Sequence, residues 1–431
     1  MPKSDETDQP TNYRPIACLP TLYKVLNTII SDRSYEHILA NDIFPEEQKG
    51  CTRNSYGCKD QLLINKAIIE DCKRKKKNLS VAWIDYRKAY DSIPHSWILK
   101  TMSIYKFNNK LINFMEKSMK SWNTTMYLNH AQGLITTDNI SIKQGIFQGD
   151  SFSPLLFCLA LVPLTSEIKA SGYGYKMNRN SVPISNLFYM DDLKLYASND
   201  DQQQGELGIV KQFSDDIKMS FGLEKCAKAS FKKGKLVSTG NIELDKETTI
   251  KELDQDNVYR YLGVDESDGI QHTKMKEKIR KEYYRRVRLI VRSELNGKNK
   301  IEAINSLAVP TVQYSFGIID WNYSELKKLD SKTRKILTMH GMLHPKSDVD
   351  RIYIPRKEGG RGLIEIETAF KVAIVGLNHY LENQSGLLSN MIIIHERTKP
   401  KYSISKIAKK IEKEITDLNF TPNPNKPVTE N

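Results

Sequence analysis

The sequence is short of the features that mark a chain for secretion or for a membrane. Its six cysteines (Cys18, Cys51, Cys58, Cys72, Cys158 and Cys226) show neither CxxC spacing nor a nearby histidine tract, which speaks against a zinc module. Six thiols in 431 residues are also a poor disulfide framework, so reduced thiols in an intracellular protein are expected, with nucleus or cytoplasm left open. Met1 is followed by the polar, acidic stretch 4–8 rather than an apolar core, so no secretory signal is visible. The longest apolar run, 155–164, is interrupted by Pro163 and is about half of the roughly 20 residues a membrane span needs. A soluble protein without a membrane partner is the expectation. No internal repeat is found.

What the chain does have is an excess of positive charge, 65 Lys and Arg against 52 Asp and Glu, or +13. With 39% hydrophobic and 27% charged residues it has the composition of an ordinary globular chain, long enough for two or three domains. A basic balance favours polyanionic partners, nucleic acid or an acidic membrane surface.

Periodicity predicts a helix opened by Thr21 as cap, with Leu22, Val25, Leu26, Ile29 and Ile30 on its inner face, and another over 60–72. Residues 79–84 read as a buried strand ending at Asp85. Helices are expected over 96–105 and 110–120, then a strand pair within 124–143 that turns near Gly133. Ser153 as N-cap and Pro154 at the first helical position open an apolar helix with Leu155, Leu156, Leu159 and Val162 inward. Residues 186–190 and 193–197 form a hairpin joined at Asp191-Asp192, and a helix over 206–219 and strands at 229–232 and 259–264 follow. From Gln271 onward the chain turns helical and basic.

Three carboxylates stand where apolar residues would be expected. Asp85 closes Val81-Ala82-Trp83-Ile84, and Asp191-Asp192 closes Leu187-Phe188-Tyr189-Met190. Adjacent strand ends can bring them together, and carboxylates that close repel one another unless protons or divalent cations neutralise them. Mg²⁺, a hard cation preferring oxygen ligands, meets that need, and Mn²⁺ is an acceptable substitute. In phosphoryl transfer two such ions, roughly 3.5 to 4 Å apart, stabilise the attacking and leaving oxygens. An Asp pair in a solvated turn is the bland reading, since Asp favours turns. The apolar strands on both sides weigh against it.

At these residues the chain resembles a family. Phe188-Tyr189-Met190-Asp191-Asp192 resembles the catalytic hairpin of reverse transcriptases, and 83–91 the strand that supplies their other aspartate. Gln148-Gly149-Asp150-Ser151-Phe152-Ser153-Pro154 is similar to their QGxxxSP element. Asn12-Tyr13-Arg14-Pro15-Ile16 and Tyr259-Arg260-Tyr261-Leu262-Gly263-Val264 resemble the first fingers motif and the primer grip of non-LTR, LINE-type retrotransposon polymerases. The resemblance covers about residues 12–264.

The resemblance implies an α+β right-hand polymerase. Fingers would lie mainly in 1–84, a palm of antiparallel sheet plus helices with a fingers insertion in 85–265, and a helical basic thumb in 266–345. A C-terminal helical region over 346–415 and a disordered tail over 416–431 would complete it. It implies an RNA-directed DNA polymerase that extends a DNA primer 3′-hydroxyl on an RNA template with dNTPs. Asp85, Asp191 and Asp192 would be catalytic and hold the metal, with the Tyr86 carbonyl as a further ligand. Tyr90 would stack under the incoming sugar, and Gln148 and Gly149 would shape the nucleotide pocket. Arg14 and Arg53 are candidates for gripping template or triphosphate, since a guanidinium binds phosphate through two parallel hydrogen bonds. Lys225 lies where related polymerases keep a lysine that protonates pyrophosphate, although the usual Asn-x-x-Lys-Thr pattern is absent and Lys228 competes with it.

Residues 271–300 hold 11 Lys and Arg against 3 Asp and Glu, so +8 of the chain's +13 falls in this stretch. Met275, Ile279, Val287, Leu289 and Ile290 can face inward, leaving Lys278, Lys281, Arg285, Arg288 and Arg292 to follow a phosphate backbone. A solvated helix face is the competing reading, and Tyr283 and Tyr284 read as packing residues.

Two other functions remain open at this point. One is a truncated or repurposed copy that binds nucleic acid without catalysis, because the first fingers motif lies almost at the start and no endonuclease is seen. The other is a group II intron-type maturase. The oligomeric state is left open.

Overall fold

The computed structural model describes residues 16–130, 133–253, 258–398 and 402–417. They fall into two units, one drawn from Met1–Gln61 and Cys72–Asn257 and the other from Leu62–Asp71 and Val258–Asn431. The Arg14 position lies outside the described residues.

The first unit is built on a five-stranded antiparallel sheet. Its strands are β1 (Leu79–Ile84), β2 (Asn186–Tyr189), β3 (Asp192–Ala197), β4 (Ala227–Lys232) and β5 (Lys235–Val237). Their order is β2-β3-β1-β4-β5. Central β1 is buried along its whole length, as expected of a strand covered on both faces. Ala82 and Ile84 join Leu193 and Leu195 in the main apolar core. Between them, Trp83 and Lys194 are register partners. The buried Lys194 ammonium lies 4.5 Å from the Trp83 ring centroid and 5.7 Å from that of Tyr196. Cation–π attraction offsets part of the cost of burying that charge.

Four helices matter for the site: α1 (Thr21–Ala40), α2 (Cys58–Lys75), α3 (Ser153–Ala170) and α4 (Asp200–Asp216). Helix α3 buries Leu155, Leu156, Leu159 and Val162 as its pattern requires. By length and composition it could cross a membrane, but 67% of it is buried inside the protein, so the core accounts for its apolar character. Its N-cap is Phe152 rather than Ser153, whose hydroxyl donates instead to Asp150 Oδ2 at 3.3 Å. Helix α4 starts earlier than its apolar period suggests. Asn199 accepts from the Gln202 N–H at 2.9 Å, a cap that contributes about 1 kcal/mol.

Helix α1 corrects the sequence reading most. Leu22, Val25, Leu26 and Ile29 are exposed, while Asn27, Ser34, Tyr35 and Ile38 are buried. The reason is polar: Asn27 Nδ2 donates to the buried Asp150 Oδ1 at 2.8 Å, which turns that side of the helix inward. Thr21 is not the cap, since Pro20 holds that position without a side-chain hydrogen bond.

The second unit is mostly helical. It contains α5 (His272–Arg292) and the helices Tyr323–Met339, Ile366–Glu382, Leu387–Thr398 and Ile404–Asp417. Helix α5 buries Met275, Tyr283, Tyr284, Val287 and Ile290, and Tyr283 Oη lies 3.0 Å from Thr333 Oγ1. Leu289, expected inward, is exposed, and Val291 is buried in its place. The strand expected over 259–264 is a hairpin, Tyr259–Tyr261 paired with Val264–Glu266. Its two-residue turn, Leu262-Gly263, has both φ angles positive, at 44° and 79°, which matches the right-handed twist of hairpin strands.

Candidate active site

The register of the sheet brings the three aspartates together. Strand β1 pairs with β3 so that Ile84 faces Leu193, and one step further along the same register Asp85 stands opposite Asp192. Tyr189 pairs with Asp192, which makes Met190-Asp191 the turn. The expected join at Asp191-Asp192 is therefore displaced by one residue, and Asp192 belongs to the strand. Asp192 is pushed up to about 6, first by burial and then by the charges of Asp191 and Asp85, with Lys225 opposing.

On the other side of Asp85, the Gly222 N–H donates to the Asp85 carbonyl at 2.8 Å. A Cβ at residue 222 would come within 2.8 Å of Asp85 Oδ2, so a side chain there would displace the carboxylate from its present place. Lys225 Nζ reaches Asp85 Oδ2 at 3.4 Å from an exposed position. Cys226 Sγ lies 3.5 Å from the Asp85 amide nitrogen, and burial raises this thiol to about 11, keeping it protonated. Lys228, the other lysine considered, is buried and donates to Thr239 Oγ1 at 2.7 Å.

Tyr86 is buried, with its hydroxyl 3.1 Å from Ser214 Oγ. The Tyr90 ring stacks on Phe157 with centroids 4.9 Å apart. Burial first, then the neighbouring Cys158, Cys51 and Asp191, hold its phenol far above the ordinary range. Tyr90 is thus within electrostatic reach of the turn. Gln148 and Gly149 sit in a loop whose backbone meets residue 17: the Ala17 N–H donates to the Gln148 carbonyl at 3.1 Å. Gly149 has φ +112°, and a Cβ there would lie 3.3 Å from the Ala17 carbonyl. Arg53 pairs with Asp32, and its guanidinium lies 4.5 Å from the Tyr35 ring centroid.

In the second unit, Lys281, Arg285, Arg288 and Arg292 are all exposed along α5. Lys278 pairs with the buried Asp265, Lys281 with Glu277 at 2.8 Å, and Arg285 with Glu282 at 2.7 Å.

Sequence reasoning missed Gln48, Gly50 and Gln61. Segment 47–49 lies along the edge of β2, where the Phe188 N–H donates to the Glu47 carbonyl and the Lys49 N–H to the Phe188 carbonyl, at 2.9 and 3.1 Å. Gln61 Nε2 donates to both of those carbonyls, at 2.7 and 2.6 Å. The one sequence signal is Gly50, in a stretch that otherwise reads as a solvated turn.

Strand ends that bring Asp85 and Asp191 within electrostatic reach of Asp192, beside a glycine loop and a lysine, make an acidic site that can serve cation-assisted phosphoryl transfer. Comparison with known proteins agrees. The family model described as reverse transcriptase (RNA-dependent DNA polymerase) matches residues 1–265, and the chain belongs to that family. Its relatives are non-LTR retrotransposon proteins. It is 23% identical over 377 residues to a retrovirus-related Pol polyprotein from type-1 retrotransposable element R2 of Popillia japonica, covering 85% of this chain and 50% of that protein. It is 22% identical to the R2DM Pol polyprotein of Drosophila melanogaster, covering 84% of this chain and 33% of that one. An RNA-directed DNA polymerase from mobile element jockey of Drosophila funebris is 22% identical, over 71% and 33% of the two chains. The chain thus spans half or less of the length of these relatives. Among solved structures, Candida tropicalis telomerase aligns at a TM-score of 0.40 and 12% identity, over 90% of this chain and 57% of that one.

Proposed function

We propose that this chain is an RNA-directed DNA polymerase that adds dNTPs to a primer 3′-hydroxyl on an RNA template. The observation that carries the reading is the β1–β3 register, which sets Asp85 opposite Asp192 beside Asp191 in a chain of the reverse transcriptase family.

The donor set fits a divalent cation, which this family generally uses. Among the described residues no group of three or more His, Cys, Asp or Glu side chains converges closely enough to hold a metal unaided. Mg²⁺ is suited to that openness, because it keeps several waters and is bound through one or two carboxylates plus substrate phosphates. Asp85 and Asp191 would hold it, with Asp192 and the Tyr86 carbonyl beside them. A bound cation would neutralise the carboxylates and stabilise the charge on the transferring phosphoryl group.

The chain's own residues supply the positioning. Gly222 lets the 220–226 loop close on Asp85, and the Lys225 ammonium is near enough to Asp85 to meet a departing pyrophosphate and give it a proton. Tyr90, braced by Phe157, forms the wall under the incoming sugar. Gln148 and Gly149 present backbone and amide to the base pair, and Arg53 stands in the fingers, which we assign to 1–84. We assign the palm to 85–265, the thumb to 266–345 and a C-terminal helical region to 346–415. Arg285, Arg288 and Arg292, with Lys278 and Lys281, would hold the primer–template backbone as the thumb's exposed cations.

The test is single-turnover incorporation of one dNTP on a primed RNA template, with Mg²⁺ and then Mn²⁺. Extension by the wild type supports the reading. Folded protein that binds the template yet incorporates nothing with either ion would leave only the binding function.

A further inference from the structure

The catalytic turn carries a strained residue. Met190, between Tyr189 and Asp191, has φ +57°, a left-handed conformation that is unfavourable for a non-glycine residue. A two-residue turn has little of its own to hold that geometry, and strain of this kind persists only where the surroundings over-determine it.

One side chain does so here. Gln48 is almost completely buried. Its Oε1 accepts from the Met190 N–H at 3.1 Å and from the Gly50 N–H at 2.8 Å, and its Nε2 donates to the Met190 carbonyl at 3.3 Å. A single amide therefore engages both backbone polar groups of the strained residue, because it carries a donor and an acceptor side by side. Gly50 makes the approach possible, because a Cβ there would lie 2.6 Å from Met190 Sδ and 2.7 Å from the Met190 nitrogen. The Glu47–Phe188 and Lys49–Phe188 hydrogen bonds hold this segment on β2, so Gln48 is presented to the turn by fixed backbone.

We propose that Gln48 is a positioning residue for polymerisation: its amide holds Met190 in the left-handed conformation and so fixes where the Asp191 carboxylate stands. The inference rests on the polymerase reading above for its effect on rate, but not for its effect on the turn. Gln48 touches neither metal nor substrate in this account and acts through the backbone of residue 190.

The test uses the full chain with Gln48→Met, Gln48→Glu, Met190→Gly and the double variant Gln48→Met with Met190→Gly. Gln48→Met keeps the shape and removes all three hydrogen bonds, while Gln48→Glu keeps the acceptor and sets a charge against the Met190 carbonyl. Both are expected to lower kcat for single-nucleotide addition by about tenfold or more, with KM for dNTP and primer–template Kd within about threefold. Glycine adopts positive φ without penalty, so in the Met190→Gly background Gln48→Met is expected to lower kcat by less than about threefold. Hydrogen exchange of the peptide carrying residues 188–192 is expected to quicken in Gln48→Met. Unchanged kcat in folded Gln48→Met and Gln48→Glu, or equal losses in both backgrounds, would overturn the proposal. If the wild type extends no primer, the polymerase reading falls. Exchange then judges Gln48 alone, and unchanged protection of the turn would refute it.

Discussion

At the turn of the first unit burial, and after it the charges of Asp191 and Asp85, push Asp192 up to about 6, whereas along α5 of the second unit Lys281 and Arg285 each lie against an acidic neighbour on the same exposed face. Like charges gathered on half-buried strand ends cost stability, and such an arrangement marks a place where a counter-charge is meant to arrive. Exposed pairs of opposite sign contribute little and exchange readily for phosphate. On the proposed reading the first unit carries the chemistry and the second holds a polyanion.

The sharpest break between the two comes from Asp191→Asn. It is expected to lower the rate of nucleotide addition by about 10³-fold or more while leaving primer–template affinity within about twofold, read by single-turnover extension and equilibrium binding. The triple change Arg285→Glu, Arg288→Glu, Arg292→Glu should do the reverse. Affinity is expected to fall by about 10²-fold near physiological salt, with a salt slope shallower by about one for each contact removed, and the rate at saturation should stay within about threefold.

A pH titration separates the units by stability. His272 is held down to about 4 by burial first, with the charges of Lys66 and Lys276 acting in the same direction and those of Asp320 and Glu70 against it. The geometry agrees, since Nδ1 accepts the Asp320 N–H at 3.2 Å and Nε2 lies 3.5 Å from Asp320 Oδ2. A neutral ring suits both contacts. Because the folded value lies below the unfolded one, this contribution is present above about 6.5 and is lost as pH falls toward about 4. Between pH 7 and 5 the contribution of His272 should fall by about 2 kcal/mol, measured as the difference between wild type and His272→Asn in hydrogen exchange of α5, while Asp330, pushed up to about 6 chiefly by burial, acts in the opposite sense in both proteins.

Asp192→Asn relieves the repulsion in the first unit and is expected to raise its stability by about 1 kcal/mol in metal-free thermal melts, while activity falls. Lys281→Ala, which removes an exposed i,i+4 pair, should change stability by less than about 0.5 kcal/mol.

Much of this was legible in the sequence because hydrophobic patterning carries it. Strand 79–84 emerges with the predicted bounds, Gly133 opens the second strand of the 127–136 hairpin, and α3 buries its predicted face. The aspartates were legible because carboxylates are conspicuous in apolar strands. What patterning could not reveal is polar matching between distant segments. Asn27 finds Asp150 across 123 residues, and so α1 turns its apolar stripe outward. Gln48 finds Met190 across 142 residues, a pairing that leaves no local periodicity. The Lys73–Lys77 run shows the same limit: Lys75 and Lys77 both donate to the Met177 carbonyl, at 2.7 and 2.8 Å, work that charge counting cannot distinguish from a solvated loop.

The division of labour between the two units is tested most directly by measuring nucleotide addition and primer–template binding side by side for Asp191→Asn and for the Arg285, Arg288 and Arg292 triple glutamate. A crossed result is expected, in which the first variant binds as the wild type does and does not extend, and the second extends at saturation but binds poorly. Asp191→Asn that still extends the primer at the wild-type rate, or a triple variant with unchanged affinity and salt slope, would contradict it.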